Sequence, residues 1–420
     1  MTTTDIHRTI EAVWRIESAK LIAALARMVH DIGLAEELAQ DALVTALERW
    51  PETGVPDNPA AWLMATAKHR AIDRLRRSKL QWSKHAEIAR ELEEQQQDMA
   101  RSGFEDRLDD DIGDDLLRLV FTACHPVLPR EARVALTLRL LGGLSTDEIA
   151  RAFLVPEPTM AQRIVRAKRT LAEKQVAFEV PRGDDRFERL ASVLEVIYLV
   201  FNEGYAATAG DDWLRPALCE EALRLGRILA GLMPLEPEVH GLLALMELQA
   251  SRANARVGSN GKPVLLADQN RAHWDQLLVH RGLAALDRAT RLGGARGAYA
   301  LQASIAACHA RAKDMESTDW PRIVAIYDAL AQVMPSPVVA LNRAVAVSMA
   351  SGVAAGLAAV DALADERSLQ HYHLLPSVRG ELLRQLDRQA EARVEFERAA
   401  ELTRNARERE LLLAKARACA

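Results

Sequence analysis

Ser145-Thr-Asp-Glu-Ile-Ala-Arg-Ala-Phe-Leu-Val-Pro-Glu-Pro-Thr-Met-Ala-Gln-Arg-Ile-Val-Arg-Ala-Lys-Arg-Thr-Leu171 decides how this chain is read. Ser145 and Glu148 stand three apart, the spacing of a capping box, in which hydroxyl and carboxylate satisfy each other's terminal amides. The short helix they open carries Ile149, Ala150 and Phe153. A turn over residues 154–157 follows, without the glycine common in such turns. Pro158 suits the first position of a new helix, where a missing N–H costs nothing. That helix places Met160, Ile164, Ala167 and Leu171 on one face and Thr159, Gln162, Arg163, Arg166 and Arg169 on the other. Short helix, tight turn and a second helix with a basic outer face form a helix-turn-helix. Its outer face carries donors for phosphates and guanine edges. A plain helical hairpin with solvated arginines is the alternative reading.

The charge around this stretch is segregated. The whole chain, 420 residues, has a net charge of −5. Residues 62–79 hold six bases against one acid, residues 84–115 hold twelve acids against four bases, and residues 158–174 hold five bases against one acid. Two basic helices with an acidic connector between them call for a local reading of charge. The connector, with three consecutive Gln residues from Gln95 and three Asp residues from Asp109, has too few apolar residues for a core. It reads as a flexible or partly helical linker.

The first basic helix runs from about Ala60 to Leu80, after a loop over residues 51–59 that holds three prolines and a glycine. Trp62, Leu63, Ala67, Ala71 and Leu75 can pack inward. Lys68, Arg70, Arg74 and Arg77 can face phosphates, each contact adding affinity through counterion release. The loop before it can receive an unstacked base. Upstream, Leu21, Leu25, Met28 and Val29 share one helical face, and Leu34, Leu38, Ala42 and Ala46 another. On that second helix Glu36, Glu37, Gln40 and Asp41 form an exposed acidic face, suited to a basic protein partner or simply solvated.

Composition agrees with an all-helical protein of two or three domains. Aromatic residues make up 5% and hydrophobic residues 49%, with Ala, Leu, Arg and Glu abundant. The cysteines, Cys124, Cys219, Cys308 and Cys419, are far apart and form no metal-ligand spacing. Cys124 beside His125 reads as a buried cysteine at a helix end. Residues 1–10 lack the apolar core of a secretion signal. The least charged stretch, residues 344–360, is too short to span a membrane. A soluble cytoplasmic protein without cofactor or metal follows.

The run from Asp31 to Trp50 resembles sigma region 2.2, which docks on core RNA polymerase. The run from Pro59 to Arg77 resembles regions 2.3 and 2.4, which open and read the promoter −10 element. Residues 116–174 are similar to sigma region 4, which reads the −35 element. Order and spacing, without a region 3, match the extracytoplasmic-function (ECF) sigma class over about the first 180 residues. The resemblance implies core polymerase contacts from Asp31, Glu36, Glu37, Gln40 and Asp41. It implies −10 contacts from Trp62, Lys68, Arg70, Arg74 and Arg77, and −35 contacts from Thr159, Gln162, Arg163, Arg166 and Arg169. The expected layout is region 2 over residues 1–82, an acidic linker over 83–115 and region 4 over 116–180.

Residues 181–420 resemble the extension of a sigma subgroup with a tetratricopeptide-like C-terminal domain, which Phe201-Asn-Glu-Gly-Tyr205 and Leu265-Leu-Ala-Asp-Gln-Asn-Arg-Ala-His-Trp274 look like signatures of. The residues support a helical repeat independently. Gly380, Leu383, Ala392, Phe396 and Ala399 follow the tetratricopeptide spacing, and Ala344, Val347, Gly356, Val360 and Leu363 repeat it weakly. Residues 299–335 give a third candidate, with an insertion near 313–319. Leu190, Val193, Leu194, Ile197 and Phe201 form a further amphipathic stripe. Stacked helix pairs make a concave surface for a protein or peptide partner, and the resemblance implies control of sigma activity.

A sigma factor that binds core polymerase and promoter DNA, and performs no chemistry itself, accounts for both basic helices. A one-component helix-turn-helix regulator with a helical sensor domain leaves the first block unexplained. An enzyme lacks a nucleophile–base constellation, a phosphate loop or metal spacing.

Overall fold

The computed structural model describes residues 3–82, 108–206, 214–258 and 264–419. Regular elements among them are helices, and the chain divides into two compact units, Met1–Val196 and Ile197–Ala420. No helix among the described residues is long and apolar enough to cross a membrane.

The first unit is built around α1 (Thr3–Val29). It packs on α2 (Ile32–Thr53), α3 (Pro59–Trp82) and α4 (Leu108–Ala123). Leu21, Ile22 and Leu25 of α1 are fully buried, as are Leu119 and Phe121 of α4. One helix therefore contributes core to both halves of the unit. The chain reverses after α1 at His30, whose φ is 52°. Asp31 then caps α2 by accepting from the Leu34 amide at 3.0 Å.

The sequence places a loop from residue 51, yet α2 continues through Pro51 to Thr53. Trp50 is fully buried and anchors this last turn, and a proline so near a helix end removes only one internal bond. Gly54, at φ 85°, ends the helix by donating its amide to the Trp50 carbonyl at 3.0 Å. The acidic linker is also shorter than its composition suggests, because α4 begins at Leu108. Asp115 is buried there, held by Arg118 at 2.6 Å and Arg27 of α1 at 3.2 Å. Two guanidiniums compensate a carboxylate that composition alone assigns to solvent. Residues 83–107 lie outside the described residues.

After α4 come α5 (Arg130–Leu140), α6 (Thr146–Ala152) and α7 (Glu157–Glu173). Cys124 is buried between α4 and α5 beside Thr137 at 3.3 Å, and burial pushes its thiol up to about 11. Helix α8 (Asp184–Tyr205) carries the boundary between the units. Leu190, Val193, Leu194, Ile197 and Phe201 are all buried along it.

The second unit continues with α9 (Pro216–Leu232), α10 (Pro237–Ala250), α11 (Gln276–Arg291) and α12 (Ala298–Arg311). Then follow α13 (Trp320–Val333), α14 (Pro337–Ser351), α15 (Val353–Asp361), α16 (Leu374–Gln385), α17 (Gln389–Leu402) and α18 (Ala406–Ala418). Consecutive helices pack on one another from α12 to α18. Leu383, Ala392, Phe396 and Ala399 are fully buried in one apolar cluster. Gly380 is buried against the Phe396 ring, which a Cβ would meet at 3.1 Å. Ala344, Gly356 and Val360 are buried, while Val347 and Leu363 are half-buried, and α12 and α13 flank the expected insertion.

Each signature run packs an aromatic ring on arginine. Phe201 and Tyr205 stack at 5.6 Å, and the Arg256 guanidinium lies 3.7 Å from the Tyr205 ring centre. Arg252 and Arg271 each sit 5.4 Å from the Trp274 ring. Arg271 also donates to the carbonyls of His309 at 2.7 Å and Ala312 at 2.9 Å, and to the Thr318 hydroxyl at 3.0 Å. Ring faces and carbonyls thus replace the water these guanidiniums lose.

Candidate nucleic-acid interface

The deciding stretch folds as its spacing requires. The Glu148 amide donates to the Ser145 hydroxyl at 3.1 Å, and the Ser145 amide donates to the Glu148 carboxylate at 2.8 Å. Burial raises the Glu148 carboxyl, but the Ser145 hydrogen bonds and Arg15 at 3.0 Å outweigh it and hold it below the usual range. Leu154 takes φ 51° in the turn, the left-handed conformation for which glycine is the usual residue. Helix α7 starts at Glu157, so Pro158 occupies its second position rather than its first.

Met160, Ile164, Ala167 and Leu171 are buried against α5 and α6. Thr159, Gln162, Arg166 and Arg169 are exposed, while Arg163 is half-buried. Arg169 pairs with Glu173 at 2.6 Å, one turn on. Gln162 and Arg166 make no hydrogen bond or ion pair among the described residues. This arrangement supplies a rigid helix with an amide and a guanidinium aimed at solvent, which is what a major groove accepts.

The bases of α3 are less uniform than their spacing suggests. Trp62 is half-buried and meets Trp50 edge-on, with ring centres 5.4 Å apart. Arg70 turns to α2, pairing with Asp41 at 3.1 Å and donating to the Thr45 hydroxyl at 2.7 Å. Lys68 is half-buried, and burial, with Arg27 nearby, lowers its ammonium below the usual range, partly offset by Asp115. Arg74 is exposed. Arg77 lies on the same helix, with its side chain outside the described residues.

On α2, Asp31, Glu37 and Asp41 are exposed and Gln40 is half-buried. Glu36 departs from the expected exposed face: it is 2% exposed. Its carboxylate accepts from Gln40 at 2.6 Å and from Arg139 of α5 at 2.7 Å, and pairs with Lys168 of α7. Glu36 sits at the edge of the buried stripe of α2, and α5 and α7 cover that edge. Periodicity within α2 defines its inner face but carries no information on which later helices overlie its flank. The same limit hid Arg139, Lys168 and the Arg27–Asp115 pair, whose partners are far off in sequence.

Comparison with known proteins agrees with this geometry. Residues 16–81 match the model of sigma-70 region 2, and residues 118–171 match that of sigma-70 region 4. Residues 189–290 match a family of unknown function, DUF6596. The uncharacterized protein R00370 of Rhizobium meliloti is 46% identical over 92% of this chain and 90% of its own length. The probable ECF RNA polymerase sigma factor SigI of Mycobacterium tuberculosis is 28% identical over 43% of this chain and 60% of its own length. No solved structure matches the chain. Two sigma regions in order, each carried on a helical bundle, place the chain among the ECF-type RNA polymerase sigma factors, with a helical extension behind region 4.

Proposed function

We propose that the chain brings core RNA polymerase to specific promoters by three separate surfaces. Residues 1–82 carry the docking and −10 functions. Asp31, Glu37 and Asp41 of α2 face a basic surface of the polymerase, joined by Glu36 and Gln40 once α2 is uncovered. Arg74 and Arg77 follow the DNA backbone, while Trp62, Lys68 and Arg70 shape the same face of α3. Residues 116–180 read upstream duplex. Gln162 and Arg166 contact base edges, with Thr159, Arg163 and Arg169 positioning the helix on phosphates. The observation that carries this reading is the outer face of α7, exposed at Gln162 and Arg166 with no partner for either among the described residues, over a fully packed inner face.

Residues 181–420 form the regulatory part in this reading. Its helix pairs are tetratricopeptide-like, on the support of the Gly380–Phe396 contact, and take a protein or peptide partner. Run-off transcription with purified core polymerase tests the assignment. Transcripts that appear only when this chain is added support it, and failure to bind core polymerase rejects it. Comparing the full chain with one ended after Tyr205 tests the regulatory role. Equal output at equal core occupancy assigns the extension another task.

A further inference from the structure

The exposed face of α7 carries an apolar residue along one edge. At about 100° per residue, the buried residues Met160, Ile164, Ala167 and Leu171 define one side of the helix. Directly opposite runs the stripe Gln162, Val165, Arg166 and Arg169, at the i, i+3, i+4 and i+7 spacing. Val165 is closer to the middle of this stripe than Arg163, which is half-buried at its flank. Val165 is 62% exposed. A single exposed valine is ordinary on a protein surface. Here, however, it borders a stripe that carries an amide and a guanidinium with no partner among the described residues. Its branched Cβ also fixes χ1 in a helix, so both methyl groups are held in place before any ligand arrives.

The major groove offers one apolar recognition feature, the C5-methyl group of thymine. A stiff, branched aliphatic side chain beside two hydrogen-bonding side chains complements that feature. We propose that Val165 selects thymine at one position of the upstream duplex by methyl–methyl contact. The inference rests on α7 being the recognition helix and adds to that reading the identity of a base. Gln162 and Arg166 supply polar contacts to the neighbouring bases, while Val165 discriminates by excluding water from the methyl group.

The test uses full-length protein bound to core polymerase and duplex libraries randomised over the upstream ten base pairs. One library is made with thymine and the other with uracil, which lacks only the methyl group. The holoenzyme is expected to enrich thymine at one position about fourfold more than uracil, the worth of one buried methyl group. Val165→Ala, which improves helix propensity and so keeps α7 formed, is expected to enrich both bases equally. Equal enrichment of thymine and uracil by the unaltered protein overturns the proposal, as does a surviving thymine–uracil difference in Val165→Ala. Arg166→Ala separates the two levels. If it erases upstream selection while Val165→Ala is silent, only the valine assignment fails. If it leaves selection unchanged, α7 is not the reader.

Discussion

Glu36 of α2 and Lys168 of α7 form an ion pair whose carboxylate is almost wholly buried, with Arg139 Nε bound to the other oxygen at 2.7 Å. The helix that presents Gln162 and Arg166 outward therefore holds α2 by its inner edge. Glu36→Gln leaves both cations without a counter-charge. Each retains about one-fifth of its exposure, 22% for Arg139 and 21% for Lys168, so the loss falls below that of a fully buried pair, at about 1–3 kcal/mol. Urea unfolding of the full chain measures it. An unchanged midpoint would show that desolvation cancels the attraction.

The same pair sets an expectation for polymerase docking. Lys168→Ala releases the Glu36 carboxylate while Arg139 still orients it. If the acidic face of α2 meets a basic surface, core polymerase binds this variant several-fold tighter than the unaltered chain. Fluorescence titration against core polymerase reads the change. Weaker or equal binding would take Glu36 out of the docking surface.

Arg166 and Arg74 are both exposed but stand on different helices with different expected roles. Arg166→Ala costs about 1–3 kcal/mol of upstream duplex binding and relaxes sequence preference at one position. Arg74→Ala weakens binding evenly across sequences and lowers the slope of log affinity against log salt by about one. Titrations of the holoenzyme on matched and mismatched promoters, at several salt concentrations, separate the two. Identical behaviour would remove the distinction between reading and positioning.

The sequence made local features legible because their physics is local. Ser145 and Glu148 lie within one turn, and the apolar residues of α7 repeat with its period, so both stand as read. The Gly380–Phe396 contact follows from spacing across one short hairpin. What escaped depends on distant chain. Asp115 looks like linker until Arg27 of α1 is brought to it, and Arg70 looks like a phosphate contact until Asp41 is beside it. Glu36 reads as solvated because its charged partners, Arg139 and Lys168, come more than a hundred residues later. Charge on a helix flank is ambiguous wherever a third element can cover it.

His309 gives the second unit a pH dependence. It is 8% exposed, its ring meets Trp320 edge-on at 5.2 Å, and burial together with Arg252 and Arg271 lowers its imidazole to about 4. The folded state holds it neutral, while the unfolded chain protonates it below about 6.5. Its contribution is therefore complete above that value and is lost as pH falls towards 4, by about 3 kcal/mol in all. His309→Phe keeps an aromatic edge and removes the titration. Between pH 7.5 and 4 the urea midpoint of the unaltered chain should fall further than that of His309→Phe. Parallel loss would mean that His309 is not the group being protonated.

Two glycines in equivalent roles should respond differently to alanine. At Gly356, a Cβ would lie 2.8 Å from the Ser348 Cα, a backbone atom of α14. Backbone cannot rotate aside, so α14 and α15 must separate, and Gly356→Ala is expected to cost about 1–3 kcal/mol. At Gly380, a Cβ would meet the Phe396 ring at 3.1 Å and the Ala392 carbonyl oxygen of α17 at 3.2 Å, both milder than the approach at Gly356. A ring can yield a few tenths of an ångström, and alanine gains up to about 1 kcal/mol in helix propensity over glycine. Gly380→Ala is therefore expected to cost clearly less than Gly356→Ala. Thermal unfolding of the two variants distinguishes close backbone packing from ring contact as the reason for a small residue. Equal losses would show that α16 and α17 are as tightly opposed as α14 and α15.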